Sequence, residues 1–271
     1  MNNGLYSIAI YCVNFHSYEY LLHYLVSIDK SAEAVASRTQ ISVFIADNSS
    51  PTQFVDYEPM HFTLHVVPTG KNMGYFGAIR FAMQQYDPTD FDYSILSNVD
   101  VVLSDHFFSS LLNVHTSPQR AWIAPSILSQ TQHFDFNPQA LNRYSYKKMR
   151  LLRLMFKYPV LLRLKQKLLH MYHDVKVSQP ATIYAGHGSF IILTNIFFVK
   201  CGIIDYPVFL YGEEIYLAET CRKNNLLVEY APSIKVFDIG RVSTGQIPSK
   251  TYCKYNYQAI NFIIKQFYSS V

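Results

Sequence analysis

Tyr93-Ser94-Ile95-Leu96-Ser97-Asn98-Val99-Asp100-Val101-Val102 is the stretch on which the fold of this chain turns. Tyr93 to Leu96 is a short apolar run with the marks of a buried strand. It stops at a polar triplet, Asn98-Val99-Asp100, and apolar residues resume at once. An open α/β sheet binds its ligands just beyond the carboxyl ends of its strands. A carboxylate there, with a carboxamide two residues earlier, suits a hard divalent cation that also holds phosphate oxygens. Asx residues also close turns and cap helices, so the triplet alone leaves both roles open.

The segments before it repeat the pattern. Leu5 to Val13 is strand-like and ends at Asn14-Phe15-His16-Ser17. Ser17 suits the N-cap of a helix over Tyr18 to Ile28, with Leu21, Leu22, Leu25 and Ile28 expected on one face. A second strand, Ile41 to Ala46, ends in Asp47-Asn48-Ser49-Ser50. A third apolar run, Phe62 to Val67, leads to Gly70-Lys71-Asn72-Met73-Gly74-Tyr75-Phe76-Gly77 and a helix expected over Ala78 to Gln85. Strands alternating with helices at this spacing predict a mostly parallel sheet covered on both faces. Three Asx-rich strand ends then share one edge, which favours a site over three unrelated turns. The glycine segment allows the backbone to approach a phosphate at a helix start. It is neither GxGxxG nor a P-loop, which excludes the dinucleotide and Walker readings.

Beyond the triplet, Trp122 to Ile127 is strand-like, and then the composition changes. Nine of the 23 basic residues lie between Arg143 and Lys167, and no acid occurs between Asp135 and Asp174. The remainder of the chain holds 14 basic against 19 acidic residues, so its positive charge is local. Two helices broken at Pro159 are expected here, the second with Leu161, Leu164, Leu168 and Met171 on one face among Arg163, Lys165 and Lys167. A basic amphipathic helix suits an anionic membrane surface, or an ordinary solvated face. With an acidic remainder and no recognisable nucleic-acid module, a nucleic-acid partner is not expected. Downstream come Ala185-Gly186-His187-Gly188-Ser189, then Phe209-Leu210-Tyr211-Gly212-Glu213-Glu214 opening a helix. Strands are expected over Leu226 to Tyr230 and Ile234 to Phe237, ending at Asp238, with a last helix over Tyr252 to Phe267.

At 271 residues and 49% hydrophobic, the chain can bury one large core or two small ones. It has no apolar run of membrane-spanning length, and Met1 to Val13 reads as a first strand rather than a signal peptide. Four well-separated cysteines with no CxxC pair point to a reducing, cytoplasmic setting and away from a zinc site.

With these residues laid out, the chain resembles the family 2 inverting glycosyltransferases of the GT-A fold. Within them it is most similar to rhamnosyltransferase-type enzymes of bacterial surface polysaccharide (O-antigen or capsule) assembly. The resemblance covers Ile8 to Ser243 except residues 130–180, and rests on the ordered set of motifs rather than on any one. It implies a single GT-A domain over 1–271: a nucleotide-sugar half at 1–127, a basic insertion at 130–180, an acceptor and catalytic half at 181–245, and a helix at 250–271.

The roles it implies fall on matched positions. Asn14, Asp47, Asn48, Asn72, Gly74, Arg80 and Asn98 would bind a UDP- or dTDP-linked donor. Gly186 and His187 would face the acceptor, Glu214 would be the base, and Glu213 would orient the acceptor beside it. Asp100 and Asp238 would hold Mg²⁺ or Mn²⁺. The acceptor would be a glycan on a polyprenyl diphosphate, with the enzyme peripheral at the inner face of the cytoplasmic membrane through residues 143–167. Three departures stand out: Glu214 where the family has Asp, Asp238 where relatives often place His, and Arg80 where many carry a small polar residue. They leave room for a non-catalytic sugar-nucleotide or glycan-binding protein on the same fold. Glycoside hydrolysis, which also uses two carboxyls, is excluded because adjacent residues do not flank a bond.

Overall fold

In the computed structural model, residues 5–53, 55–114, 117–131, 134–160, 177–240 and 249–268 are described. Three strands and two helices open the chain in alternation: β1 (Tyr6–Asn14), α1 (Tyr18–Glu33), β2 (Thr39–Asp47), β3 (Thr63–Pro68) and α2 (Tyr75–Met83). The focal run forms β4 (Tyr93–Asn98), followed by β5 (Val101–Leu103), α3 (Phe107–Leu112), β6 (Arg120–Ser129) and α4 (Tyr146–Lys157). The second half adds β7 (Ala181–Ile183), β8 (Phe190–Thr194), α5 (Asn195–Cys201), α6 (Glu213–Lys223), β9 (Leu227–Asp238) and α7 (Ser249–Phe267).

The strands form one sheet in the order β3-β2-β1-β4-β8-β6-β9-β5, with β7 also on β9. Strands β3, β2, β1 and β4 are mutually parallel, and β6 and β9 pair in parallel. The antiparallel β8 joins the two groups, and β5 and β7 run against β9. Alternation along β1 assigns its side chains to opposite faces. Ala9 and Tyr11 enter the core beneath α2, α5 and α6, while Ile8, Ile10 and Cys12 enter the one beneath α1 and α3. Helices therefore cover both faces, as the βα alternation predicts.

Local details depart from expectation for identifiable reasons. The buried stripe of α1 is Leu21, Tyr24, Leu25 and Ile28. Leu22, one residue around the helix from Leu21, is 37% exposed. Ser17 stands at the N-cap position, but its hydroxyl donates to the Phe15 carbonyl instead of accepting from the helix. Helix α2 begins at Tyr75, three residues before the expected start, because Gly74 (φ 77°) is its N-cap. The two strands expected at 226–230 and 234–237 are halves of β9. The register against β6 shifts between Ala231 and Lys235, where Pro232 lacks an N–H for the ladder.

Within the basic stretch, α4 ends ahead of Pro159 as expected. The second helix, with Leu161, Leu164, Leu168, Met171 and Arg163, Lys165 and Lys167, lies outside the described residues. Arg143, counted with the surface cations, is used internally. Its Nε donates to fully buried Glu219 at 2.6 Å, and Arg222, Tyr184 and Tyr268 bond the same carboxylate. Burial pushes the Glu219 pKa up, but the bonds from Arg143, Tyr184 and Arg222 outweigh it, and the net shift is downward. This ties the segment before α4 to α6. A small third core (Met149, Ile260, Ile263, Ile264, Tyr268) then fastens α4 to α7. Among the described residues no helix is long and apolar enough to cross a membrane.

Candidate active site

The parallel register brings the Asx-rich strand ends together. Asn14 stands opposite Asp47, and Val13 opposite Asn98. Asn14 is completely buried. It donates to Asp47 Oδ1 (3.1 Å) and Ser49 Oγ (3.4 Å), and accepts from the Ser17 amide. Asp47 also accepts from the Ser49 amide and, through Oδ2, from the Tyr18 hydroxyl at 2.7 Å. Both residues therefore brace the strand ends, and a ligand reaching Asp47 would share or displace Tyr18. Asn48 bridges to the glycine loop, donating to the Gly74 carbonyl and accepting from the Met73 amide. Asn72 Oδ1 accepts from the Gly74 amide at 2.9 Å. The loop's shape is thus built by three of the expected donor-binding residues.

Gly74 also allows the closest approach in the site. A Cβ there would lie 1.9 Å from the Phe209 carbonyl oxygen, so the glycine loop rests directly on the segment leading to Glu213 and Glu214. The far end of β4 is tied to the 185–189 turn, as the Asn98 amide donates to the Ser189 carbonyl. Within that turn the Gly188 amide donates to Glu214 Oε1 at 3.3 Å. A Cβ on Gly188 would stand 2.8 Å from the same oxygen, so Glu214 occupies the space a side chain would take. Gly186 packs on Ala124 and the Trp122 ring with similar economy. His187 is held by Asn137, which accepts from its amide at 2.7 Å, and its ring stacks on Phe136. The Ser189 hydroxyl and amide lie 2.9 and 3.3 Å from His187 Nδ1.

The acidic motif follows two left-handed residues, Tyr211 (φ 72°) and Gly212 (φ 83°), that turn the chain into α6. Glu213 is buried, and burial first, then the neighbouring Glu214, raise its pKa to about 8. Burial and the adjacent carboxyl both disfavour its charged form.

The β5–β9 pairing brings the backbones of Asp100 and Asp238 side by side. Val101 stands opposite Asp238, and the Ile239 amide donates to the Asp100 carbonyl. Both are largely buried, at 6% and 8% exposure. Among the described residues no three His, Cys, Asp or Glu side chains gather as a metal cage. The buried Asp100 carboxyl, just beyond β4, fits a hard cation that takes its remaining ligands from substrate phosphates and water, with Asp238 ending the neighbouring strand. Arg80, expected at a donor phosphate, is instead ion-paired with Asp205 on the outer side of α2. Tyr18, Asn137 and Tyr75 were not singled out in the sequence. Nothing local marks them, since Asn137 meets His187 from 50 positions away.

Comparison with known proteins bears on the fold. No family model matches the sequence, and no curated protein matches it. The structure is similar to that of GalNAc-T7 with UDP, GalNAc and Mn²⁺, at 12% identity and a TM-score of 0.62, over 98% of this chain and 48% of that one. It also matches the catalytic domain of Drosophila beta1,4-galactosyltransferase 7 in complex with xylobiose, at 12% identity and a TM-score of 0.45, over 83% of this chain and 65% of that one. The chain spans about half the length of the GalNAc-T7 structure. The fold is that of the GT-A glycosyltransferases, a mixed α/β sheet covered by helices.

Proposed function

We propose that the chain is an inverting glycosyltransferase, moving a sugar from a UDP- or dTDP-linked donor to a glycan acceptor. The observation that supports this is the grouping of Asp100, Glu213 and Glu214 around the buried Tyr75 hydroxyl, beside the Asx-rich ends of β1, β2 and β4, with Asp238 on the strand paired with β5. The donor's diphosphate would lie toward Asp100 and Asp238. A divalent cation bound there would stabilise the departing diphosphate as a Lewis acid. Glu214 would accept the proton of the attacking hydroxyl, and the 185–189 turn would fix its carboxylate through Gly188. Glu213, whose protonated form is favoured by burial and by Glu214, would serve as a hydrogen-bond donor beside it. A dTDP-rhamnose or UDP-hexose donor is supported only by the sequence resemblance.

The test is a thermal-shift series with UDP, dTDP and their sugars, with and without Mn²⁺, on wild type and Asp100→Ala. A ligand at a hundred times its Kd stabilises by about 2.7 kcal/mol. A Mn²⁺-dependent shift in wild type that disappears in Asp100→Ala is the expected result. A shift that ignores both metal and Asp100 would favour the rival reading, a non-catalytic sugar-nucleotide or glycan-binding protein. One observation leans that way: the Asp47 carboxylate is already engaged by Asn14, Ser49 and Tyr18.

The acceptor side is supported by α4. Lys147, Arg150, Arg153 and Lys157 line a groove of about 540 Å³ with Tyr257 of α7, and Leu151 and Leu154 stand 56% and 46% exposed between them. Cations alternating with exposed leucines suit an anionic membrane surface carrying a polyprenyl-diphosphate-linked acceptor, with the enzyme peripheral at the inner face of the cytoplasmic membrane. Each cation near such a surface contributes about 1 kcal/mol. A Lys147→Gln, Arg150→Gln, Lys157→Gln triple variant is expected to lose sedimentation with phosphatidylglycerol vesicles by about 100-fold in affinity. Equal sedimentation of the variant, or with neutral vesicles, would remove this role.

A further inference from the structure

Tyrosines at a protein surface ordinarily turn the ring inward and the hydroxyl to water. Tyr75, the first residue of α2, departs from this: the residue packs against the core, and its hydroxyl oxygen is buried with no hydrogen-bond partner among the described residues. A phenol placed in this way forgoes a hydrogen bond that solvent would otherwise supply.

Its surroundings are specific. Gly74, the residue before it, is bonded to Asn48 and Asn72 and packed on Phe209, so the backbone that aims the ring is held on three sides. Burial, together with the nearby Glu213, Tyr24, Glu214 and Asp100, pushes the phenol well up, so it stays a neutral donor at any working pH. Those neighbours belong to both halves of the site: Asp100 to the proposed cation end, and Glu213 and Glu214 to the acidic motif. Tyr24 is itself engaged, with Ser97 at 2.9 Å. Ser94 and Trp122 also bury polar atoms that lack a partner among the described residues. They lie within β4 and β6, with exposures of 1% and 0%.

We infer that the Tyr75 hydroxyl is a specificity contact, donating a hydrogen bond to the sugar of the bound nucleotide-sugar at a point between Asp100 and Glu214. This rests on the glycosyltransferase reading above. If the diphosphate lies toward Asp100 and the acceptor toward Glu214, the transferred sugar occupies the interval between them, and Tyr75 faces that interval. The hydroxyl would then pair only when the sugar is present. It would distinguish a nucleotide-sugar from the bare nucleotide.

The test is Tyr75→Phe, with Tm and binding of UDP, UDP-glucose, dTDP and dTDP-rhamnose measured in Mn²⁺ beside wild type. Removing an unpaired buried hydroxyl is expected to leave Tm unchanged or raised. Affinity for the nucleotide-sugar that wild type binds is expected to fall about tenfold, the scale of one hydrogen bond, with the bare nucleotide unaffected. Unchanged affinity for both would overturn the inference. So would equal losses for sugar-bearing and bare nucleotides, or a lowered Tm, since these mark a loop-holding role. Wild type that binds none of the four would fail at the parent reading instead, and the inference would fall with it.

Discussion

Glu214→Gln is expected to lower turnover by about 10²- to 10⁴-fold while leaving Mn²⁺-dependent nucleotide binding intact, the scale of a lost general base. The expectation comes from how the two neighbouring acids are housed. Glu213 is buried, and burial and Glu214 raise its pKa to about 8, which favours its protonated form. A protonated acid is a poor acceptor for a departing hydroxyl proton at neutral pH. Glu214 is the partly exposed member, oriented by the Gly188 amide. In the proposed transfer the acceptor oxygen forms a bond to the anomeric carbon as the bond to the nucleoside diphosphate breaks. The hydroxyl proton passes to Glu214. Glutamine keeps the Gly188 contact and the shape but cannot take that proton. Nucleotide release with acceptor present measures the loss, and thermal shift confirms that the donor still binds. If Glu214→Gln turns over like wild type while Glu213→Gln does not, the assignment of the base is reversed.

The second large effect is on stability. Gly74→Ala is expected to cost about 3 kcal/mol or more, a fall of about 10 °C in Tm, and to abolish the nucleotide response. Two terms combine. At φ 77° and ψ −169° the backbone lies where an L side chain is strained. The new Cβ would also meet the Phe209 carbonyl oxygen at 1.9 Å and the carbonyl carbon at 2.9 Å, both backbone atoms that cannot rotate aside. Gly70→Ala separates the terms, since Gly70 has a similar φ of 72° and a Cβ added there would meet nothing within 4 Å. Only the conformational cost, about 1 kcal/mol, is expected there. Equal losses at the two glycines would show that the contact between the glycine loop and Phe209 contributes nothing.

The same contact explains why the site holds together. Loops from distant parts of the chain meet there at two glycines, Gly74 against the Phe209 backbone and Gly188 against the Glu214 carboxylate. Neither approach leaves room for a Cβ. The Gly70–Gly77 segment reads in the sequence as backbone that can approach a phosphate. In the structure Gly74 also lets that loop rest on the Phe209 backbone, as Gly188 lets its turn rest on Glu214.

Much of the architecture was legible in the residues themselves. Apolar runs of strand length alternating with helical stripes determine a sheet covered on both faces, because burial of those stripes admits few other arrangements. Asn14, Asp47 and Asn98 were placed on one edge because parallel strands bring their carboxyl ends together. The motifs around Gly186 and Glu214 were visible as local patterns, although their meeting through Gly188 was not. Such signals act within about one element, over the reach of a helix turn or a strand pleat. What lay beyond them was chosen by packing between segments remote in sequence. Arg80 pairs with Asp205, Arg143 pairs with buried Glu219, and Tyr18 takes the second oxygen of Asp47. Strand β8 was inserted antiparallel between β4 and β6, and two expected strands merged into β9. The chain's own pattern thus determined which residues could form a site. The tertiary structure decided which already had partners, because a charged or polar side chain pairs with whatever the packed elements bring within hydrogen-bond reach, and sequence distance does not enter that choice.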